Sequence, residues 1–201
     1  MRKVILMATM VLMSLVANAQ NAAEARKILD KTASVVGRKG GASANFTVSS
    51  SKVGTVSGSI AIKGNMFHAH TPQAIVWYNG KTQWSYMKST NEVNISTPTE
   101  AQKMKMNPYT FLTMYKSGYN LSMTRKGKNY NVHLVAQNKT RSVQEVYLSI
   151  NSSYTPTTVK MREGQTWTTI AITNFRAQSQ PTSTFTFRVK DFPSAEIIDL
   201  R

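Results

Sequence analysis

Along this 201-residue chain the spacing of apolar side chains changes character twice. A largely apolar run extends from Val4 to Val16. After it, Ile28, Leu29, Thr32, Val35 and Val36 fall at i, i+1, i+4, i+7 and i+8, a stripe that predicts an amphipathic helix ending at Gly37. From Phe46 and Val48 the period becomes two, with Val56, Gly58, Ile60 and Ile62 alternating with Thr55, Ser57, Ser59 and Ala61. Further strands are expected near 66–71, 74–79, 82–88, 92–97, 119–125, 129–137, 143–150, 156–162, 166–175 and 183–189. Their turns carry Gly, Asn, Pro or Ser, as in NG at 79, KGKN at 126 and EGQ at 163. Short strands joined by tight turns predict an antiparallel meander curled into a barrel or half-barrel.

One segment interrupts the alternation. In residues 97–120, Asn107 reads as an N-cap and Pro108 as a first helical residue, ahead of Phe111, Leu112, Met114 and Tyr115, with Gly118 as the stop. This predicts a short amphipathic helix between strands. Met104, Met106 and Met114 crowd it, and flexible thioethers suit a surface that repacks around varied apolar partners or, equally, the plug of a barrel core.

The stretch WYNGKTQWSY, residues 77–86, holds the strongest hairpin signal, Asn-Gly between alternating apolar residues. A two-residue turn at Asn79 and Gly80 would set Tyr78 opposite Lys81, Trp77 opposite Thr82 and Ile75 opposite Trp84. Ile75, Trp77, Trp84 and Tyr86 then share one face, which either fills a core or lines a pocket.

Arg2 and Lys3 before the apolar run, and Ala17-Asn18-Ala19 after it, read as a secretory signal peptide spanning residues 1–19. About thirteen apolar residues are short for a span of roughly 20. Cleavage after Ala19 leaves residues 20–201 as one expected domain, exported and soluble. There is no cysteine, so neither disulfides nor acylation of an N-terminal cysteine is open to the chain. Without Arg2 and Lys3, 23 basic and 9 acidic side chains remain, a formal charge of +14. The cations are dispersed, with RKG at 38–40 and RKGK at 125–128 the densest groups, which gives no nucleic-acid signature. An anionic membrane surface, an acidic partner or simple solubility fits that field.

Catalytic chemistry leaves little trace. None of Glu24, Asp30, Glu92, Glu100, Glu145, Glu163, Asp191, Glu196 and Asp199 has the spacing of an acid and base pair, and they read as solvated surface charge. His68 and His70, two apart on a strand, face one side, but no Cys or nearby carboxylate completes a metal set, and His133 stands alone. GTVSG at 54–58 lacks the spacing of a nucleophile elbow, and GRKGG at 37–41 lacks the strand that precedes a phosphate loop. No enzyme, metal or cofactor is expected.

KGNMFHAHTPQAIVWYNGKTQWSYMKSTNEVNIS resembles the central signature of the outer-membrane lipoprotein carrier (LolA-like) family: a strand with a Phe, a Pro-containing turn, an apolar strand into N-G-K, Trp-x-Tyr and a V-x-I strand. NPYTFL at 107–112 is similar to the family's short helix, and FTFRVKDFPSAEIIDLR to its closing F-x-F and terminal strand. The resemblance implies a mainly β, α+β fold: an unclosed antiparallel half-barrel with an N-terminal helix and short helices over its concave apolar face. It implies a monomeric periplasmic carrier that shields the acyl chains of lipoproteins, taking them from an inner-membrane lipoprotein-releasing transporter complex to an outer-membrane acceptor. The implied cavity and lid comprise Phe46, Ile60, Ile62, Phe67, Ile75, Trp77, Trp84, Tyr86, Met104, Met106, Phe111, Leu112 and Met114. Where well-studied carriers hold an Arg that couples lid closing to release, Lys63-Gly64-Asn65 stands here, and lysine lacks the planar fork. A half-barrel module for another lipid or amphiphile, or a sensor of envelope state, is the other binding function that fits.

Overall fold

The alternation that starts at Phe46 builds one twelve-stranded sheet. The computed structural model describes residues 20–52, 54–99 and 113–201. A helix, α1, covers residues 20–36, and the strands follow as β1 (Ala42–Ser50), β2 (Gly54–Lys63), β3 (Met66–His70), β4 (Ala74–Tyr78), β5 (Gln83–Met87) and β6 (Glu92–Ser96). After the 3-10 turn Met114–Lys116 come β7 (Tyr119–Lys126), β8 (Asn129–Ala136), β9 (Val143–Ile150), β10 (Pro156–Glu163), β11 (Thr166–Arg176) and finally β12 (Glu196–Asp199).

The order across the sheet is β12-β6-β5-β4-β3-β2-β1-β11-β10-β9-β8-β7, so β12 and β7 are its two edges and the sheet is unclosed. Every pairing is antiparallel except β12 with β6, which is parallel. Two meanders, β2 to β6 and β7 to β11, are joined through β1, which pairs with β2 on one side and β11 on the other. An extra residue on β11 breaks the register between Ser43 and Asn45, where Asn174 takes a φ of +51° and Phe175 packs on the main core.

Ile28, Leu29, Thr32 and Val36 of α1 are buried, as the helical stripe requires, and the helix stops where the Gly37 amide donates to the Ala33 carbonyl at 2.8 Å. The side of the sheet that α1 covers is its inner face. Ile62, Phe67, Tyr78, Leu121, Met123, Val132, Leu134, Val146, Leu148, Val159 and Met161 form the main core beneath the helix. α1 also guards the β7 edge: the Asn21 side chain accepts from the Met123 amide at 2.6 Å and donates to its carbonyl at 2.9 Å. Those groups would otherwise offer an unpaired ladder to another chain.

Two expectations are corrected. The NG hairpin closes with a four-residue loop, Asn79–Thr82, because the Asn79 side chain accepts from the Lys81 and Thr82 amides at 3.0 and 2.9 Å. The register therefore moves by two: Tyr78 pairs with Gln83, Trp77 with Trp84 and Ile75 with Tyr86. A shift of two preserves the face, so the four residues still stand together. The strand expected at 183–189 is instead the 3-10 turns Thr182–Phe185 and Val189–Asp191 with extended backbone between, and it lays Phe185 and Phe187 onto the sheet. The helix expected around Asn107 and Pro108 lies outside the described residues.

Gly58 sits opposite Phe46, and a Cβ there would lie 2.3 Å from the His70 carbonyl oxygen and 2.7 Å from the Phe46 ring. Gly58→Ala is expected to cost about 1–3 kcal/mol, the range for forcing extra atoms into a packed site, measured by urea unfolding.

Candidate functional site

Phe46, Ile60, Ile62 and Phe67 all lie on the inner face. Cross-strand pairing sets Phe46 against Ile172 and Gly58, and Val48 against Ile170 and Val56. Ile60 pairs with Ala69, and Ile62 with Phe67. Ile62 and Phe67 are buried in the main core, and Ile60, Ile170 and Ile172 pack against its margin. Phe46, Val48 and Val56 stand beyond that margin and are half-buried. The result is an apolar strip along the join of the two meanders. Met114 packs against the same core, and its neighbour Tyr115 is buried with its hydroxyl on Asp30. Met104, Met106, Phe111 and Leu112 lie outside the described residues.

Ile75, Trp77, Trp84 and Tyr86 are on the other side of the sheet. Period two makes them neighbours of one another, yet it also puts them opposite Val76 and Tyr78, which face inward. Phe187, Phe192 and Ala195 cover them, forming with Val93 a second core. Trp77 meets the Phe187 and Phe192 rings edge-on at 5.4 and 5.5 Å, and Tyr86 meets Phe192 at 4.7 Å. The expected role of these four as cavity lining is replaced by a structural one, because the C-terminal segment fills the space over them. The F-x-F pattern at 185–187 was the sequence signal for this cover. Trp77→Ala is expected to lower stability by about 3–5 kcal/mol, as other buried aromatic truncations do, read from the shift in thermal and urea midpoints.

His68 and His70 share the outer face but differ in setting. His68 stacks on Trp77 with ring centres 5.4 Å apart, and burial, then the charge of His70, push its imidazole below its ordinary pKa. His70 is exposed, with the Lys88 amine 3.2 Å from its Nε2. Among the described residues no three His, Cys, Asp or Glu side chains come together as a metal set. Lys63 donates to the Gln180 carbonyl at 2.9 Å and so ties the segment after β11 to the end of β2.

His133, expected to stand alone, is instead one corner of a network on the outer face. Its Nε2 lies 2.9 Å from Glu145 Oε1, and its ring stacks on Tyr147 at 4.1 Å. Tyr147 donates to the same carboxylate at 2.8 Å, and Arg162 Nε donates to Oε2 at 3.1 Å. These partners sit on three adjacent strands, so no spacing along the sequence announces them. The Tyr147 hydroxyl, then His133 and Arg162, hold the Glu145 carboxyl below its ordinary pKa against the opposing push of burial. A depressed folded value means stabilisation that is complete above the ordinary carboxylate pKa of about 4.3 and is lost as pH falls through the lower folded value. Glu145→Gln is therefore expected to flatten the acid limb of the stability profile and to cost about 1–2 kcal/mol near neutrality, measured by urea unfolding across pH.

The chain is thus an unclosed, mainly antiparallel sheet that wraps a helix against an apolar inner face and carries an aromatic cover on its outer face. The family of the outer membrane lipoprotein carrier protein LolA matches residues 15–165, and the chain belongs to that family. No curated protein matches the sequence. Among solved structures, an uncharacterized conserved protein from Thermus thermophilus superposes with a TM-score of 0.59 at 13% identity, over 88% of this chain and 99% of its own. A LolA superfamily protein from Nitrosomonas europaea superposes with a TM-score of 0.45 at 11% identity, over 81% and 97%. At 13% identity the Thermus likeness is one of fold alone. No helix among the described residues is long and apolar enough to cross a membrane.

Proposed function

We propose that this chain is a periplasmic lipoprotein carrier that holds acyl chains against its inner face and shuttles them from the inner to the outer membrane. The observation that carries the reading is the strip formed by Phe46, Val48, Val56, Ile60, Ile170 and Ile172, apolar, continuous with the core and only half-buried. Membership of the carrier family and the signal-like N-terminus support it. Acyl chains offer no polar groups to recognise, so area is what binds them, at about 0.8 kcal/mol for each methylene removed from water. Met114, packed against the same core, offers a flexible thioether able to repack around acyl chains. Carriage, on this reading, leaves the cargo chemically unchanged. An inner-membrane transporter complex delivers the cargo and an outer-membrane acceptor receives it.

Lys63 adds a point about release. Its ammonium is committed to the Gln180 carbonyl, on the outer side of the sheet, so it serves that segment and not a lid. Release in this protein then rests on competition by the acceptor for the acyl chains.

The test is a sedimentation assay that follows a triacylated lipoprotein from inner-membrane vesicles into the supernatant as the protein is added with the energised transporter. Phe46→Asp is expected to reduce extraction at least tenfold while leaving the unfolding midpoint within a few degrees. Tyr86→Ser, on the outer face, is expected to lower stability without changing extraction per folded molecule. Lipoprotein that stays in the pellet while free phospholipid or another amphiphile is solubilised would overturn carriage in favour of a different cargo.

A further inference from the structure

The strands alternate in direction, so each end of the sheet gathers a defined set of loops. One end collects the loops 37–41, 64–65, 79–82, 97–99, 127–128, 151–155 and 177–181. These described loops contain no Asp or Glu, although in the sequence Glu100 directly follows Thr99. They and the strand termini beside them carry Arg38, Lys39, Lys63, Lys81, Lys126, Lys128 and Arg176, all exposed except half-buried Lys63, together with one strand-end carboxylate, Asp199 of β12, which Arg201 pairs. The opposite end mixes its lysines with Glu92, Glu163 and Glu196 at strand termini. The uneven partition of carboxylates, rather than the excess of cations alone, distinguishes the two ends.

The cations at the first end are also free to act. Ion pairs among the described residues join Arg125 to Glu24, His133 and Arg162 to Glu145, Arg188 to Asp191 and Arg201 to Asp199. None of them uses Arg38, Lys39, Lys81, Lys126, Lys128 or Arg176. The loops touch one another: Asn65 approaches Gly80, the Gln180 amide donates to the Gly40 carbonyl at 2.7 Å, and Arg38 reaches the Ala177 carbonyl. They therefore form one rim and not scattered tips. At its β7–β8 corner Tyr130 and Tyr154 stack at 5.8 Å, with Arg125 over the first ring and Lys31 over the second. Tyrosine with flanking cations is the composition that sits at a lipid–water boundary.

We propose that this rim docks the protein onto an anionic phospholipid surface. Point-like lysine charges spread along a rim, with no enclosed pocket and no planar fork, match a plane of diffuse negative charge better than one discrete anion. The proposal concerns the bare bilayer and does not depend on which cargo the inner face holds.

Vesicles of phosphatidylglycerol mixed with phosphatidylcholine, and vesicles of phosphatidylcholine alone, provide the test by cosedimentation with the purified protein and no lipoprotein present. The protein is expected to sediment with the first and not the second, and to be released by added salt as screening shortens the reach of the charges. Each cation near such a surface is worth about fivefold in partitioning, so the triple change Lys81→Glu, Lys126→Glu, Lys128→Glu is expected to lower binding about a hundredfold or more. Lys52→Glu, Lys116→Glu, Lys139→Glu, an equal charge change at the opposite end, is expected to lower it less than tenfold. Should a Glu variant fail to fold by circular dichroism, the corresponding Gln triple replaces it at each end. Equal losses from the two ends would overturn the proposal in favour of net charge alone. Failure of the unaltered protein to sediment with the anionic vesicles would overturn it as well, leaving an acidic protein or solubility to explain the rim.

Discussion

The ladder between β1 and β11 is the interaction on which the rest of the architecture depends. It runs from Ser43 and Arg176 to Ser50 and Thr168 and joins residues more than a hundred positions apart. Without it the molecule is two meanders, each with an extra open edge and half of an apolar face. With it the two halves share one inner surface, and α1, which immediately precedes β1, is carried over that surface. The half-buried strip of Phe46, Val48, Ile170 and Ile172 lies on this join. Candidate binding surface and structural seam are thus the same place, which couples what the inner face can open to admit with what keeps the halves together.

Much of this was legible from the chain because period and turn chemistry are local. The α1 stripe, the Gly37 stop and the strands from β1 to β11 follow from side chains within a few residues of one another. The hairpin at 77–86 shows where such reading stops. Alternation establishes that Trp77, Trp84 and Tyr86 are neighbours, but it carries no sign to say which side of the sheet they occupy. That sign is set by whatever covers each side, and the cover came from Phe187 and Phe192, far along the sequence. Two large rings on the wrong side of a sheet look, in sequence, like two on the right side.

The Glu145 network was hidden for a related reason. His133, Glu145 and Arg162 meet because β8, β9 and β10 are adjacent in register, and register between strands depends on turn geometry that small shifts alter. On the outer face, away from the apolar strip, the network staples three strands together. Similarly, a count of charges gives the size of the field but not its layout. Only strand direction reveals that acidic side chains are sparser at one end than at the other.

The outer aromatic cover has a further consequence for how the molecule is completed. Trp77 and Trp84 belong to the first meander, whereas Phe187 and Phe192 follow the second, so this core closes only after nearly the whole chain has been laid down. Contacts of such long sequence separation form late because the intervening chain must first be ordered. Until then one side of the sheet presents a continuous aromatic surface to its surroundings. A chain nicked or cut short before Phe187 would keep that surface permanently, marking itself as adhesive to chaperones, proteases and its own kind.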